Sequence, residues 1–203
     1  MEQGSEEWRL SRVGRVGCSR LGDVLAEGKG GAPSASRRNY MAELLCERLT
    51  GKYAEHFTSA EMQRGIDLEP IARATYEARF GVMVKEDGGR GHPAIIGFGC
   101  SPDGLIGDDG GLEIKCPNTA THLDTLLDGK INLHYIYQMA GGCLVYDRAW
   151  WDFVSFDDRL PDNLSFYCKR FYRDNLPLAK VESGVIQFIS ELDALEKRVR
   201  GLS

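Results

Sequence analysis

Several features that would place the chain in a specialised class are missing from its sequence. No apolar run approaches the ~18 residues that a membrane-spanning helix needs. The segment from Met1 to Arg9 is polar and acidic, unlike a signal peptide. Hydrophobic residues make up 42% and charged residues 27% of the 203 positions, which excludes a disordered or collagen-like protein. We therefore expect a globular cytoplasmic protein that does not associate with a membrane.

Motifs of several enzyme classes are absent as well. The six cysteines are scattered without a Cys-x-x-Cys pair, which argues against a thiolate metal site and favours reduced cysteines. The four histidines show no metal-ligand spacing. Neither a Gly-x-Ser-x-Gly sequence nor a Walker phosphate loop occurs, so a serine hydrolase and a P-loop nucleotidase have no support.

Acidic residues outnumber basic ones, and the formal net charge is −5. This balance argues against a protein whose main task is to coat nucleic acid. It permits a nucleic-acid enzyme whose basic residues are gathered on one surface. Residues 8–40 are locally basic, with seven Lys or Arg against two Asp or Glu. They form either an ordinary solvated surface or a patch that faces phosphates.

Hydrophobic spacing predicts one mixed α/β domain without internal repeats. Helices are expected over residues 36–49, 59–80, 119–127, 133–145 and 177–199. Pro70 either divides the second of these helices or opens a new first turn. Strands are expected over residues 82–85, 94–98, 103–106, 111–116, 150–156 and 164–172. Because the strands are grouped in the middle of the chain, we expect a central mixed sheet flanked by helices.

The segment Ser101–Pro117 contains the residues that carry chemistry. As a hairpin centred near Asp109, it places Asp103 across from Lys115 and diagonal to Glu113. Two carboxylates at that spacing suit Mg²⁺ or Mn²⁺, which take hard oxygen ligands. Lys115 on the same face could orient or deprotonate a water in metal-dependent phosphodiester hydrolysis. A salt-bridge cluster on a surface hairpin would use the same three side chains.

Two further polar residues outside the hairpin are candidates for the same site. Glu69 lies on a predicted helix just before the sheet and can supply a third carboxylate. Gln138 interrupts an otherwise apolar helical stretch, where a buried amide needs a partner. A satisfied core amide is the alternative interpretation of Gln138.

The order of these motifs resembles the restriction-endonuclease-like nuclease superfamily. Within it, the chain resembles the phage lambda exonuclease, or YqaJ-like viral recombinase, family. The matching motifs are the helical Glu69, Ser101-Pro102-Asp103-Gly104-Leu105, Leu112-Glu113-Ile114-Lys115-Cys116-Pro117 and the helical Gln138. The resemblance begins at Glu2-Gln3-Gly4 and Trp8, continues through Arg12-Val13-Gly14 and Cys18-Ser19, and reaches about Trp151.

This resemblance implies a restriction-endonuclease-like core and a Mg²⁺-dependent 5′-to-3′ exonuclease in which Mn²⁺ can substitute. Such an enzyme digests one strand of linear double-stranded DNA and leaves 3′ single-stranded tails for homologous recombination by strand annealing. The implied partners are DNA ends, further copies of the chain in a homotrimeric ring, and a single-strand annealing recombinase. The implied location is the cytoplasm of a bacterium or of a phage-infected host.

The resemblance also assigns roles to individual residues. Asp103, Glu113 and the Ile114 carbonyl would bind the metal ion, and Lys115 would position or activate the attacking water. The supporting active-site residues would be Glu69 and Gln138, and those that hold a 5′-phosphate would be Arg12 and Ser19. The chain departs from the family pattern at Gly17-Cys18-Ser19, where relatives usually carry Thr-Ala-Ser, and at Gly142, where related nucleases often carry Tyr.

Two alternatives to the exonuclease stay open on the sequence. One is a restriction-like endonuclease, which would need no DNA end, and the other is a non-catalytic DNA-end binding protein with the same fold. Intact Asp103, Glu113 and Lys115 argue against the second. We expect a single exonuclease domain across residues 1–203. Its predicted parts are an N-terminal helical, end-binding part over 1–60, a catalytic core over 61–172 and a C-terminal helix over 173–203.

Overall fold

The computed structural model describes residues 3–54 and 57–202. Glu2, at which the family resemblance begins, lies outside them. The helices are α1 (Glu6–Arg12), α2 (Leu21–Val24), α3 (Ala35–Thr50), α4 (Ala60–Phe80), α5 (Thr119–Asp128), α6 (Leu133–Tyr146) and α7 (Leu178–Arg200). Short 3₁₀ turns lie at Cys18–Arg20, Lys29–Gly31 and Arg173–Asn175. None of the helices in the described ranges is both long and apolar enough to cross a membrane.

The strands form two sheets. They are β1 (Val16–Gly17), β2 (Val84–Lys85), β3 (Arg90–Gly91), β4 (Phe98–Cys100), β5 (Gly104–Ile106), β6 (Gly110–Lys115), β7 (Trp150–Phe156) and β8 (Phe166–Tyr172). The larger sheet has the order β2-β5-β6-β7-β8, with β6 and β7 parallel and the other neighbours antiparallel. The smaller sheet has the order β1-β4-β3, with β1 parallel to β4. The predicted α/β class with a central mixed sheet is confirmed.

Helices cover both faces of the larger sheet. On one face, Ala72 and Tyr76 of α4 pack with Leu112 and Ile114 of β6. On the other, buried residues of α3, α6 and α7 form a second core that includes Phe153 of β7. Since successive side chains of a strand point to opposite faces, Glu113 and Lys115 point away from α4 and towards α6.

The structure corrects two local predictions. The strand expected over residues 94–98 begins only at Phe98, because His92 Nδ1 accepts the N–H groups of Ala94 and Ile95 at 3.1 and 2.9 Å and holds a turn there. Pro70 neither divides nor opens a helix, since α4 is continuous across it. Burial of α4 residues on both sides of Pro70 against the sheet stabilises the unbroken helix.

Candidate active site

The β5–β6 hairpin brings the predicted metal ligands together in a register that differs from the sequence prediction. Gly104 pairs with Leu112 and Ile106 with Gly110, so the turn is centred on residue 108. Continuing this register places Asp103 opposite Glu113, instead of opposite Lys115 as predicted.

The reason for this register lies on the neighbouring strand β7. A Cβ atom at Gly110 would lie 2.2 Å from the Trp150 ring, and one at Gly111 would lie 2.3 Å from the Trp151 ring. Both glycines therefore belong to the strand, where the two indoles cover them. Only residues 107–109 remain for the turn.

Asp103 is held by the backbone of β6. Its Oδ2 accepts a hydrogen bond from the Ile114 N–H at 2.6 Å. The Pro102 carbonyl, which the register would place opposite Ile114, accepts from the Gln3 side chain at 2.8 Å. The N–H and C=O of a strand residue face the same neighbour, so the Ile114 carbonyl faces the side on which Asp103 lies. Gly104 is required beside Asp103, because a Cβ there would lie 2.2 Å from the Val84 side chain.

Glu113 is the most deeply buried of the candidate ligands, with 1% of its surface exposed. Lys115 Nζ forms an ion pair with its Oε1. This oxygen nevertheless has no hydrogen-bond partner of acceptable geometry among the described residues. Burial, and then the charge of Asp103, raise the pKa of Glu113 to about 8. Such burial excludes the alternative of an exposed salt-bridge cluster.

Glu69 adds a third carboxylate from α4. Its Oε1 accepts from Arg73 Nη2 at 2.7 Å. Burial and the charge of Asp103 raise the pKa of Glu69 to about 7. No group of three or more His, Cys, Asp or Glu side chains with metal-binding geometry occurs within residues 3–54 and 57–202.

Lys115 is held as an ammonium group. Burial lowers its pKa, but the charges of Glu113 and Asp103 outweigh this effect and raise the pKa above the ordinary lysine value. Its Nζ also lies 5.3 Å from the centre of the Tyr135 ring. In the protein alone, Lys115 is thus a cation that is ion-paired with Glu113 and lies in the field of Asp103.

A cavity of about 420 Å³ connects this cluster to the N-terminal helix. Asp103, Lys115 and Gln138 line it together with Arg12 and Ser19. Gln138 is buried on α6 and faces the cavity, and no hydrogen bond from the described part of the chain satisfies its amide. The structure therefore does not support a satisfied core amide at this position.

The parallel pairing of β1 with β4 creates this cavity. Val16 pairs with Phe98 and Gly17 with Gly99, so the residues that flank β1 come to lie beside Ser101 and Asp103. Arg12 Nη1 lies 3.4 Å from Ser101 Oγ. Ser19 is exposed on the 3₁₀ turn that follows β1.

Only part of the basic N-terminal segment faces the cavity. Arg20 forms ion pairs with Asp23 and Glu43, and the buried Arg37 pairs with Glu191. In contrast, Arg12 and Arg15 line the cavity, and neither forms an ion pair with a described residue. The segment is therefore partly structural, and its cavity residues keep charge available for an anion.

Trp151 occupies the space that a larger residue at position 142 would need. A Cβ at Gly142 would lie 2.5 Å from the Trp151 ring. This packing explains why the chain carries glycine where related nucleases often carry tyrosine.

Sequence reasoning gave no separate role to several residues of the cavity wall. Trp8 and Ser101 served only as points of resemblance, yet Trp8 Nε1 donates to Ser101 Oγ at 3.0 Å. Arg90 also lines the cavity, stacked on Tyr146. The four-residue spacing of Trp8 and Arg12 could have indicated that the two side chains act together, since it places them on one face of a helix.

Comparison with known proteins places the chain in a family. The model of the YqaJ-like viral recombinase domain matches residues 7–146. No functionally curated protein matches the chain.

Solved structures show how far the similarity extends. An alkaline exonuclease (LHK-Exo) from Laribacter hongkongensis has 48% identity over 97% of this chain and 96% of its own, with a TM-score of 0.89. LHK-Exo in complex with dAMP has 47% identity over 98% of this chain and 100% of its own, also with a TM-score of 0.89.

A phage related exonuclease from Haemophilus somnus 129PT shares 15% identity over 93% of this chain and 96% of its own, with a TM-score of 0.73. At that identity the comparison shows a common fold alone. The family model and the LHK-Exo structures, however, cover most of the sequence. The chain therefore belongs to the YqaJ-like viral recombinase domain family.

Proposed function

We propose that the chain is a Mg²⁺-dependent exonuclease that digests one strand of linear double-stranded DNA in the 5′-to-3′ direction. The observation that carries the proposal is the single cavity joining Arg12 and Ser19 to Asp103, Lys115 and Gln138. A positively charged side chain that can bind a DNA end and a cluster that can hydrolyse a phosphodiester lie in one cavity. This arrangement suits an enzyme that removes nucleotides from a DNA end. Family membership and 48% identity to an alkaline exonuclease support hydrolysis of DNA.

Asp103 and Glu113 fit a divalent cation. Their carboxylates project from register-paired positions, and the buried Oε1 of Glu113, although ion-paired with Lys115, makes no hydrogen bond of acceptable geometry with a described residue. The Ile114 carbonyl would be a further oxygen ligand. Mg²⁺ prefers such a small set of hard ligands, and Mn²⁺ accepts the same set. When bound, the cation supplies Lewis-acid stabilisation of charge on the phosphoryl group.

The remaining residues of the cluster would act on the substrate and the attacking water. The Lys115 ammonium group, anchored by Glu113, would orient that water and stabilise negative charge that develops at the phosphate. The Gln138 amide, which faces the cavity, would donate to a phosphate oxygen. Glu69 would add a third carboxylate beside Asp103.

Arg12 and Ser19 would recognise the terminal 5′-phosphate. A terminal phosphate carries more negative charge than an internal diester, and a guanidinium binds it through forked, charge-assisted hydrogen bonds. Arg12 has no carboxylate partner among the described residues, so its charge is available. The exposed Ser19 hydroxyl would donate a further bond.

The product of this reaction would be DNA with 3′ single-stranded tails for recombination by strand annealing. We propose DNA ends, a homotrimeric ring and a single-strand annealing recombinase as partners, in bacterial or phage-infected host cytoplasm. Residues 1–60 would provide end binding, 61–172 the catalytic core and 173–203 the C-terminal helix.

One assay distinguishes this function from its alternatives. Linear duplexes with a 5′-phosphate on one strand and a 5′-hydroxyl on the other are compared with covalently closed circles, in Mg²⁺, Mn²⁺ or EDTA. We expect mononucleotides from the phosphorylated strand, intact circles and no products in EDTA. Arg12→Ala should lower the rate on phosphorylated ends by up to ~100-fold, as expected for loss of charged hydrogen bonds.

The inactive control is Asp103→Asn, which replaces one carboxylate oxygen with an amide nitrogen. Cleavage of the circle would indicate an endonuclease, and end binding without products in every metal would indicate a non-catalytic end-binding protein. Equal digestion of both strands would contradict the proposed recognition of a 5′-phosphate, and loss of nucleotides from the 3′ ends would contradict the proposed polarity.

A further inference from the structure

Trp8 and Arg12 form a stacked pair in the cavity wall. They are four residues apart on α1 and lie on the same face of that helix. The Arg12 guanidinium lies 4.3 Å from the centre of the Trp8 ring. The ring quadrupole attracts a cation in this position. The stack therefore orients Arg12 and, unlike a carboxylate, leaves its positive charge intact.

The indole N–H connects this pair to the segment that leads into the hairpin. Trp8 Nε1 donates to Ser101 Oγ at 3.0 Å, and the Ser101 hydroxyl donates to the Gly88 carbonyl at 3.0 Å. Arg12 Nη1 approaches the same Ser101 oxygen at 3.4 Å. A hydroxyl with one proton and two lone pairs is thereby fully used. Because Ser101 lies two residues before Asp103, the network links the end-binding and hydrolytic parts of the cavity.

We infer that Trp8 is a positioning residue for recognition of the DNA end. Its ring sets the direction of the Arg12 guanidinium, and its N–H fixes the pair against Ser101. An arginine that is ordered beforehand loses less rotamer freedom when a terminal phosphate binds. In this role Trp8 acts through Arg12. The inference rests on the proposed 5′-phosphate site and adds the residue that prepares it.

The test compares variants of the full chain on duplexes that carry either a 5′-phosphate or a 5′-hydroxyl. The readout is the ratio of kcat/KM on the two ends. Trp8→Phe keeps an aromatic face but removes the N–H, and Trp8→Leu removes both. From the sizes of hydrogen bonds and cation–π contacts, the ratio should fall roughly two- to fivefold in Trp8→Phe and roughly tenfold in Trp8→Leu. The loss should arise mainly from KM on phosphorylated ends.

A double variant shows whether Trp8 acts through Arg12. Once Arg12→Ala has removed the guanidinium, adding Trp8→Leu should not lower the ratio further. Phe171→Leu is the matched control, because Lys169 Nζ lies 5.2 Å from the centre of the Phe171 ring on β8, outside the cavity lining. This variant loses the same kind of contact and should keep the wild-type ratio.

Each outcome has a defined meaning. A wild-type enzyme without phosphate preference would overturn both the end site and the role of Trp8. If Arg12→Ala abolishes the preference for a 5′-phosphate but both Trp8 variants retain it, only the role of Trp8 is overturned. Equal losses on both kinds of end, with a lower Tm, would make Trp8 a purely structural residue. If Trp8→Leu fails to fold, an unchanged ratio in Trp8→Phe overturns the inference by itself.

Discussion

Replacing Asp103 by Ala and by Asn separates its proposed part in metal binding from its hydrogen bond to the backbone. Asp103 Oδ2 accepts from the N–H of the buried Ile114. Asn removes the charge but keeps an oxygen that can accept this bond, whereas Ala leaves the N–H without a partner. Both variants remove the same charge beside Glu113 and Glu69, so the effect of that charge cancels when the unfolding free energies of the two variants are subtracted.

The expected difference follows from the cost of an unpaired buried N–H. That cost is about 1–3 kcal/mol. Because Asp103 itself is half-buried, little packing is lost, and Asp103→Ala should be less stable than Asp103→Asn by this amount. A difference of ~2 kcal/mol separates the Tm values of a chain of this length by roughly 4–8 °C. Without metal, loss of the Asp103 charge removes its repulsion of Glu113 and Glu69 but also its attraction for Lys115, so the Asn variant is the proper reference for the hydrogen bond.

Urea unfolding in EDTA measures this difference, and nuclease assays in Mg²⁺ measure the metal site. Both variants should be inactive, because Glu113 alone cannot hold the cation against water. Wild type should gain stability from Mg²⁺, up to ~2.7 kcal/mol at a hundredfold excess over its Kd, and both variants should lose this gain. Equal stability of the two variants would refute the role of the Ile114 bond. Near-normal turnover in either would refute the metal assignment.

Three further predictions concern other parts of the structure. Lys115→Ala should lower kcat by more than it weakens DNA binding, and Lys115→Arg should not restore turnover, because a planar guanidinium is too wide for the position of the ammonium group. Single-turnover and DNA-binding measurements check this prediction. Recovery of turnover in Lys115→Arg would show that Lys115 acts only through its positive charge. Gly142→Ala should destabilise the fold by about 1–3 kcal/mol in urea unfolding, since its Cβ would lie 2.5 Å from the Trp151 ring; wild-type stability would show that this contact relaxes freely. Burial opposes ionisation of Asp157, but hydrogen bonds from Arg159 and other donors outweigh it and lower the pKa of Asp157. A lowered folded-state pKa stabilises the fold above the unfolded value of about 3.9, and this contribution disappears as the pH falls further. Asp157→Asn should therefore lower the Tm at pH 7, and its difference from wild type should shrink below about pH 4; a difference that is constant with pH would contradict the assignment.

Local sequence was sufficient for those elements whose signals are themselves local. The strand Trp150–Phe156 was predicted with its observed bounds, and α5, α6 and α7 were predicted to within a residue or two. Hydrophobic period and flanking turn residues depend on near neighbours in the chain. The order of the Pro-Asp-Gly and Glu-Ile-Lys motifs likewise sufficed to indicate the family, which the comparisons confirmed.

Contacts between distant segments decided the remainder. The hairpin register depends on the two indoles of β7 that cover Gly110 and Gly111, and nothing within the hairpin sequence encodes them. The burial of Glu113 follows from the packing of helices on both faces of the sheet.

The junction of the end-binding and hydrolytic residues is the clearest case. Arg12 and Asp103 share a cavity because the two-residue strand β1 pairs in parallel with β4. Strands this short carry no period of their own. The sequence by itself indicated which residues are candidates for the chemistry. Only the tertiary structure decided that they meet in one cavity, because strand pairing across some 80 residues is stabilised by the whole fold and leaves no local pattern.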